Sequence, residues 1–361
     1  MTSNYFIHFG CWNRGGCPKN NELTKVMNKL NAERPQPQFI SICGDNYYPP
    51  KEEVNGKKRK YLIMDDLLSG FNCLPKDIPI YMTYGNHDYE TGLFINGEKE
   101  KQCTLTTEEI NIVKNNPNIH LALNQSHMFG EKTKLLFLDT TMWDEEDIDD
   151  YIQCYEKVDS KYSNSGTDVK QMLIDDQKEY IRKEIRDANI DNIILIGHHP
   201  LAKWKLKKDK DGNKVMTYLI LNPAFNQMLF DEIYSKLNNS VKYYYLCADL
   251  HQYQSGDIII NGSMNIRQYI VGTGGAEFDK IVKKEIPVGD FVSQDNIQYR
   301  IDLSETRDKT NGYLKCTNTN TNNELLFEFI TAEMSGGRYK RNTKRKLNRN
   351  KKRLTKRYRY R

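Results

Sequence analysis

Ligand-capable side chains follow five apolar runs of the sequence, at the point where each run stops. The groups are Cys11, Asp45 with Tyr48, Asn86 with His87, His198, and Asp249 with His251. A bridging carboxylate, together with histidine and neutral oxygen ligands that leave positions open for water and substrate, is the donor set of a two-metal hydrolytic centre. A single polar residue at a strand end is most often part of a turn. The occurrence of all five groups favours a metal site with Asp45 as its central carboxylate.

Strands must bring these groups together. Apolar runs precede them at residues 5–9, 39–43, 80–84, 193–196 and 243–246. Apolar residues from Leu23 to Leu30 repeat at helical spacing, which predicts a helix between the first two strands with Asn21 as its N-cap. Strand, helix and strand in this order form the βαβ unit of a largely parallel sheet, which collects its ligands at the carboxyl ends of its strands.

Further elements are predicted around this framework. A strand at residues 135–138 is followed by a helix at 168–188, and the region from 258 to 332 is rich in strands. Residues 144–166 are acidic and polar without clear periodicity, so a surface insertion is predicted there. We predict that residues 1–332 form one α/β domain.

Several of these strand ends carry the motifs of a known family. Gly44-Asp45-Asn46-Tyr47-Tyr48, Gly85-Asn86-His87-Asp88, Gly197-His198-His199-Pro200 and His251 stand in this order along the chain. This series resembles the motifs of the calcineurin-like metallophosphoesterases, and a Tyr three residues after the Asp resembles the purple acid phosphatase branch. The similarity spans roughly residues 5 to 279 and implies a four-layer α/β/β/α sandwich of two mixed sheets.

The resemblance also implies how the metals are held. Asp45 is then the bridging ligand, Tyr48 and His251 bind one metal ion, and Asn86 and His198 bind the other. A tyrosinate ligand favours Fe(III), with Fe, Zn or Mn at the second position.

A reaction follows from the same resemblance. A metal-bound hydroxide attacks phosphorus in line, and the two metals offset the charge that develops on oxygen. His87 contacts the phosphate or protonates the leaving oxygen, and Asp88 orients the His87 ring. No covalent enzyme intermediate is required.

The chain departs from the family pattern at two positions. The family has Gly-Asp-x-Gly after the first strand and Gly-His-x-His in the last motif, whereas this chain has Gly10-Cys11-Trp12-Asn13 and Ala248-Asp249-Leu250-His251. Thiolate and carboxylate both bind Fe or Zn, so Cys11 and Asp249 are predicted as altered ligands. The alternative is that Cys11 is an ordinary buried cysteine and Asp249 a turn residue.

Charge divides the chain into two parts. Residues 338–361 contain 14 of the 53 Lys and Arg and no acid, which leaves 39 bases against 48 acids in the rest. Residues 333–361 lack a hydrophobic period and are predicted to be a disordered basic tail. Such a tail is predicted to bind nucleic acid by contacting the phosphates of the nucleic-acid backbone. The alternative is that the tail folds back on the acidic body or aids solubility.

Composition suggests a compartment. The eight cysteines contain no C-x-x-C pair, which argues against a disulfide framework or a zinc ribbon. A membrane-length apolar run and a secretory signal are both missing from the sequence, so residence in the reducing cytoplasm and no membrane partner are expected. The Lys-, Asn- and Tyr-rich composition resembles proteins of large DNA viruses with AT-rich genomes, for which virion or host-cell residence is the expectation.

Two functions are therefore compared below. The first is an active phosphoesterase whose substrate is a phosphorylated small molecule or a phosphoprotein. The second is an inactive or weakly active phosphoesterase-fold protein whose basic tail docks on nucleic acid or an anionic partner.

Overall fold

The computed structural model describes most of the chain. The described residues are 4–99, 103–143, 148–163, 168–186, 189–208, 214–220, 223–237, 240–279, 289–293, 296–307, 309–319 and 323–332. The predicted tail at residues 333–361 lies outside them.

Helices are interspersed among the strands over most of the described chain. The strands are β1 Tyr5–Phe9, β2 Ile40–Cys43, β3 Lys51–Val54, β4 Lys57–Lys60, β5 Ile80–Thr83, β6 Phe94–Ile95, β7 Glu98–Lys99, β8 Ile119–Leu121, β9 Asn124–Phe129, β10 Thr133–Leu138, β11 Asn192–Ile196, β12 Ala202–Lys208, β13 Lys214–Ile220, β14 Lys242–Cys247, β15 Tyr253–Ile260, β16 Met264–Val271, β17 Gly289–Val292, β18 Gln298–Arg307, β19 Gly312–Thr319 and β20 Glu324–Thr331. The helices are α1 Asn21–Asn31, α2 Met64–Cys73, α3 Thr104–Lys114, α4 Ile148–Val158, α5 Val169–Ile185, α6 Pro223–Leu229 and α7 Ser235–Leu237.

Two large mixed sheets form the body of the molecule. The first has the order β20-β19-β1-β2-β5-β8 and is parallel from β1 to β8. The second has the order β17-β18-β15-β16-β14-β11-β10-β9 and is parallel across β16, β14, β11 and β10. The predicted fold class is confirmed.

Alternating side chains place the second sheet between two cores. On β10, Leu135 and Phe137 face the first sheet, whereas Leu136 and Leu138 face the layer that contains α5. All four are fully buried. A side chain of this size contributes about 1.5–3 kcal/mol when it leaves water, so each strand of this layer is held from both faces.

Local capping fixes where the helices begin. Asn20 caps α1, because its Oδ1 accepts hydrogen bonds of 2.9 Å from Glu22 N and 3.0 Å from Leu23 N. The N-cap predicted at Asn21 was therefore wrong by one residue. Asp168 caps α5 in the same way.

The predicted surface insertion at residues 144–166 was wrong, because α4 lies within it. Cys154 and Tyr155 of α4 are fully buried, with Tyr151 and Val158 beside them. These positions have helical spacing, but tyrosine and cysteine make the apolar face less evident than leucine would.

The expectation against a disulfide framework was wrong for four of the eight cysteines, and the other four are free. Cys17 pairs with Cys73, and Cys103 pairs with Cys154. These partners stand 56 and 51 residues apart in the chain, so only the tertiary fold brings them together.

None of the helices in the described part of the chain combines the length and the apolar character that a membrane span requires.

Candidate metal centre

The carboxyl ends of the parallel strands place the predicted ligands at one edge of the two sheets. Cys11 follows β1, Asp45 follows β2, and Asp249 follows β14. All three residues have positive φ angles, of 52°, 52° and 55°. Left-handed backbone at a non-glycine residue is uncommon and costs about 1–3 kcal/mol, so the fold bends sharply at three ligand positions.

Two glycines allow the strand ends to approach each other. A Cβ atom on Gly44 would lie 2.8 Å from Nδ1 of His198, and one on Gly85 would lie 2.5 Å from Oδ1 of Asp45. Any larger residue would push these ligands apart. The glycine that precedes Asp45 and the one that precedes Asn86 are thus required by packing.

Asp45 lies at the centre of the arrangement and is 1% exposed. Its Oδ2 accepts a hydrogen bond of 2.5 Å from the Tyr48 hydroxyl and lies 3.8 Å from Sγ of Cys11. Its Oδ1 lies 3.2 Å from Nε2 of His198 and accepts a 3.1 Å bond from the backbone N–H of His87. The two carboxylate oxygens therefore face two different sets of donor atoms.

Backbone carbonyls orient both predicted histidine ligands. Nδ1 of His198 donates to the carbonyl of Cys43 at 2.8 Å, and Nδ1 of His251 donates to that of Glu277 at 2.5 Å. Nε2 of His198 then faces Asp45, and Nε2 of His251 lies 2.9 Å from the Tyr48 hydroxyl. An Nδ1–H held by a carbonyl, with Nε2 turned inward, is the usual arrangement of a metal-binding histidine.

The ligand atoms fall into two groups. In the first, donor atoms of Cys11, Asp45 and His251 all lie within 4.8 Å of one another. In the second, those of His198, His199 and Asp249 do so.

His199 differs from His198 in its hydrogen bonds. Oγ1 of Thr140 accepts bonds from the backbone N–H of His198 and of His199, and the same Oγ1 lies 3.0 Å from Nδ1 of His199. Thr140 thereby holds the His199 ring at the edge of the second group.

Burial and mutual charge set the protonation of the first group. Burial and the Asp45 carboxylate raise the pKa of Cys11 and that of Tyr48 well above their ordinary values. Burial lowers the pKa of His198, but Asp45 outweighs it and the pKa rises to about 9. A cation bound here would take the place of these protons, because a coordinated thiol or phenol is deprotonated.

Residues 5–253 match the profile of the calcineurin-like phosphoesterases. The chain belongs to this family. Solved structures that are similar to this chain include the following two. GAP50, the anchor in the inner membrane complex of Plasmodium, is 13% identical, with 94% of this chain and 88% of that chain covered and a TM-score of 0.43. PhoD is 12% identical, with 91% and 69% covered and a TM-score of 0.48. No curated protein sequence matches the chain.

The donor set of this phosphoesterase fits metal ions. Among the described residues, Oδ1 of Asn86 is buried without a hydrogen-bond partner. A buried polar atom that lacks a partner is costly, and a cation satisfies it. Carboxylate, imidazole, phenolate and thiolate together suit Fe and Zn.

His87, the predicted acid, has a partner that differs from the predicted one. Nδ1 of His87 is hydrogen-bonded to Glu90. The Glu90 carboxylate also forms a 2.7 Å ion pair with Lys60. Asp88 accepts bonds of 2.6 Å from the backbone N–H of Asn46 and 2.7 Å from that of Gly85. The prediction that Asp88 orients the His87 ring was wrong, because Asp88 instead holds the two loops together beneath the site.

Sequence reasoning missed Glu90 and Lys203. Glu90 stands three residues after His87, at the spacing that pairs side chains on a helical turn, so a signal was present. Lys203 forms an ion pair with Asp249, and the sequence gives no spacing rule that would link the two.

Proposed function

We propose that the protein is a metal-dependent phosphoesterase that hydrolyses a phosphate monoester or a small phosphodiester. The observation that carries the proposal is the orientation of His198 and His251, whose Nε2 atoms both face the Asp45–Tyr48 pair. No structural role for the fold requires two histidines to be anchored through Nδ1 around one buried carboxylate.

Metal ions held here would polarise the phosphoryl group and lower the pKa of a bound water. Asp45, Tyr48, Cys11 and His251 would hold the first ion. The second ion would be held by Asp45 and by three further residues, Asn86, His198 and Asp249. The finer proposal is that the first ion is Fe(III), because a phenolate such as that of Tyr48 favours it.

His87 is proposed as the general acid. Burial lowers the pKa of its imidazole, but Asp45 and Glu90 outweigh this effect and raise the pKa, which favours the protonated ring. A water molecule that has released one proton to solvent attacks phosphorus as the bond between phosphorus and the leaving oxygen breaks, and the His87 proton passes to that oxygen. A proton from solvent then restores the His87 imidazolium. Glu90 holds the ring through Nδ1, so Nε2 is the nitrogen that would act on the substrate.

The test is hydrolysis of a chromogenic phosphate monoester and of the matching diester by the purified full chain. We expect turnover that is lost on treatment with a chelator and is restored by Fe, Zn or Mn. The ratio of the two rates gives the substrate class. Turnover that survives complete metal removal would contradict the proposal.

The second candidate is a binding protein with little catalysis. The ion pair of Lys203 with Asp249 favours it, because one predicted ligand already has a cationic partner. Metal-loaded protein that binds a phosphate ester without hydrolysing it would support this candidate against the first.

A further inference from the structure

Lys203 introduces a fixed positive charge into the second ligand group. It stands near the start of β12, and its ammonium pairs with the Asp249 carboxylate. The two side chains are only 18% and 21% exposed, so water screens this pair weakly. Asp249 is the carboxylate that shares a 4.8 Å cluster with His198.

The first group has no such charge. In the part of the chain that the structure describes, no lysine or arginine forms an ion pair with Asp45, whose ion-pair contact is with His198. Cys11, Tyr48 and His251 contact Asp45 or one another. The two halves of the centre therefore differ by one lysine side chain.

This difference bears on how many metal ions bind. A divalent ion that takes Asp249 as a ligand must displace the Lys203 ammonium or lie close to it, and like charges repel strongly in a partly buried site. Among the described residues, a cation in the first group meets no lysine or arginine that is paired with Asp45. Its ligands include two groups, Cys11 and Tyr48, that gain negative charge when it binds.

We propose that the Lys203 ammonium acts as the resident cation of the second group, so that the protein holds one metal ion tightly and a second only weakly. This inference rests on the proposed function for its metal centre. The ammonium neutralises the Asp249 carboxylate, which a second metal ion would otherwise do.

The experiment counts metal ions. The full chain and Lys203→Met are titrated with Co²⁺, bound metal is measured by elemental analysis after gel filtration, and affinities are measured by calorimetry. We expect about one tight equivalent for the natural chain and about two for Lys203→Met, with the second Kd lowered tenfold or more by removal of the like charge. Lys203→Gln is the second neutral variant, used if Lys203→Met does not fold.

Two control variants separate charge from packing. Lys203→Arg keeps the cation and should keep the natural metal count. Lys161→Met removes an ammonium that forms a 3.0 Å ion pair with Asp176, outside the metal centre. This variant should also leave the metal count unchanged. Two tight equivalents in the natural chain, or an Arg variant that behaves as the Met variant does, would overturn the inference.

The result is independent of hydrolysis. A single tight metal ion with no turnover would leave the inference standing and overturn the proposed function. Two tight ions with turnover would do the opposite, and absence of metal binding would overturn both.

Discussion

The Tyr48 hydroxyl donates a 2.5 Å hydrogen bond to Oδ2 of Asp45, and the Tyr48 hydroxyl oxygen lies 2.9 Å from Nε2 of His251. The phenol thus lies between the central carboxylate and a histidine whose other nitrogen is fixed. A cation that replaced the phenolic proton would find three ligands already in place.

The first prediction concerns this phenol. If Tyr48 binds Fe(III), the oxidised, iron-loaded protein absorbs visible light through tyrosinate-to-iron charge transfer, and Tyr48→Phe abolishes the band. The matched control is Tyr47→Phe, because the Tyr47 hydroxyl bonds the backbone of Ile63 and not the centre. A band that persists in Tyr48→Phe, or is lost in Tyr47→Phe, would exclude Tyr48 as the iron ligand.

The second prediction concerns pH. Because the pKa values of Cys11 and Tyr48 are raised by burial and by Asp45, both groups carry protons at pH 7 and release them when a metal binds. Apparent metal affinity should therefore rise with pH, by up to about tenfold per pH unit for each proton released.

Calorimetry in two buffers of different protonation enthalpy counts these protons. Cys11→Ala should release one fewer than the natural chain. Cys316→Ala, which removes a buried cysteine of β19 that is distant from the centre in the first sheet, should release the natural number. Affinity that does not change with pH would show that neither group is a ligand.

The third prediction tests the positioning of His87 by Glu90. Glu90→Gln keeps the shape of the side chain but removes the charge that holds the ring as a proton donor, and partners of this kind are typically worth about 10–100-fold in activity. We expect kcat to fall by that factor with little change in KM, and the pH profile of kcat to shift to lower pH.

The control for that variant is Glu184→Gln. Glu184 accepts a 2.7 Å bond from Ser126 and pairs with Lys134, as Glu90 pairs with Lys60, but it lies on α5. Equal losses in both variants would assign the effect of Glu90 to folding.

The fourth prediction concerns Glu109, a fully buried carboxyl of α3 beneath the centre. Burial and the neighbouring Asp88 raise its pKa well above the ordinary value, so the folded chain keeps a proton that the unfolded chain releases above pH of about 4.3. The free energy of unfolding therefore falls as pH rises through this range.

Glu109→Gln should remove that dependence. Denaturant unfolding at a series of pH values should show a slope reduced by up to about 1.4 kcal/mol per pH unit. Glu108→Gln, on the same helix, should keep the natural slope. Parallel curves for Glu109→Gln and the natural chain would contradict the assignment.

The fifth prediction concerns the basic tail, which the structure does not describe. Its 14 Lys and Arg over residues 338–361 should give sequence-independent binding to DNA or RNA that weakens steeply with salt. Truncation after Ser335 should abolish this binding and leave hydrolysis of a small chromogenic ester unchanged. Equal affinity of the truncated and full-length chains at low salt would remove nucleic acid as a partner of the tail.

Much of the centre could be predicted because parallel strands obey a simple rule. An apolar run that stops at a polar residue places that residue at the carboxyl edge of a sheet, and this located Asp45 and His198 without any knowledge of the sheet order. The strand ends at Cys11 and Asp249 followed from the same rule.

Other features depended on contacts that the sequence does not encode locally. The carboxylate of Asp249 meets Lys203 only because β12 and β14 are brought to the same edge of the molecule. The partners of Cys103 and of His87 were missed for different reasons: Cys154 is distant in sequence, whereas Glu90 was close but competed with Asp88 for the same role. Spacing alone does not say which of two nearby carboxylates reaches a ring.

Asp45 remains the residue on which the whole account depends, since it contacts both ligand groups. The most direct measurement is the rate of phosphate ester hydrolysis by Asp45→Asn, with Asp257→Asn as control, because Asp257 pairs with Arg267 away from the centre. We predict that Asp45→Asn loses at least about a hundredfold in kcat/KM, on the order of 2.7 kcal/mol of transition-state stabilisation, together with its tightly bound metal. An Asp45→Asn protein as active as the natural chain and the Asp257→Asn control would contradict the assignment of this centre as the active site.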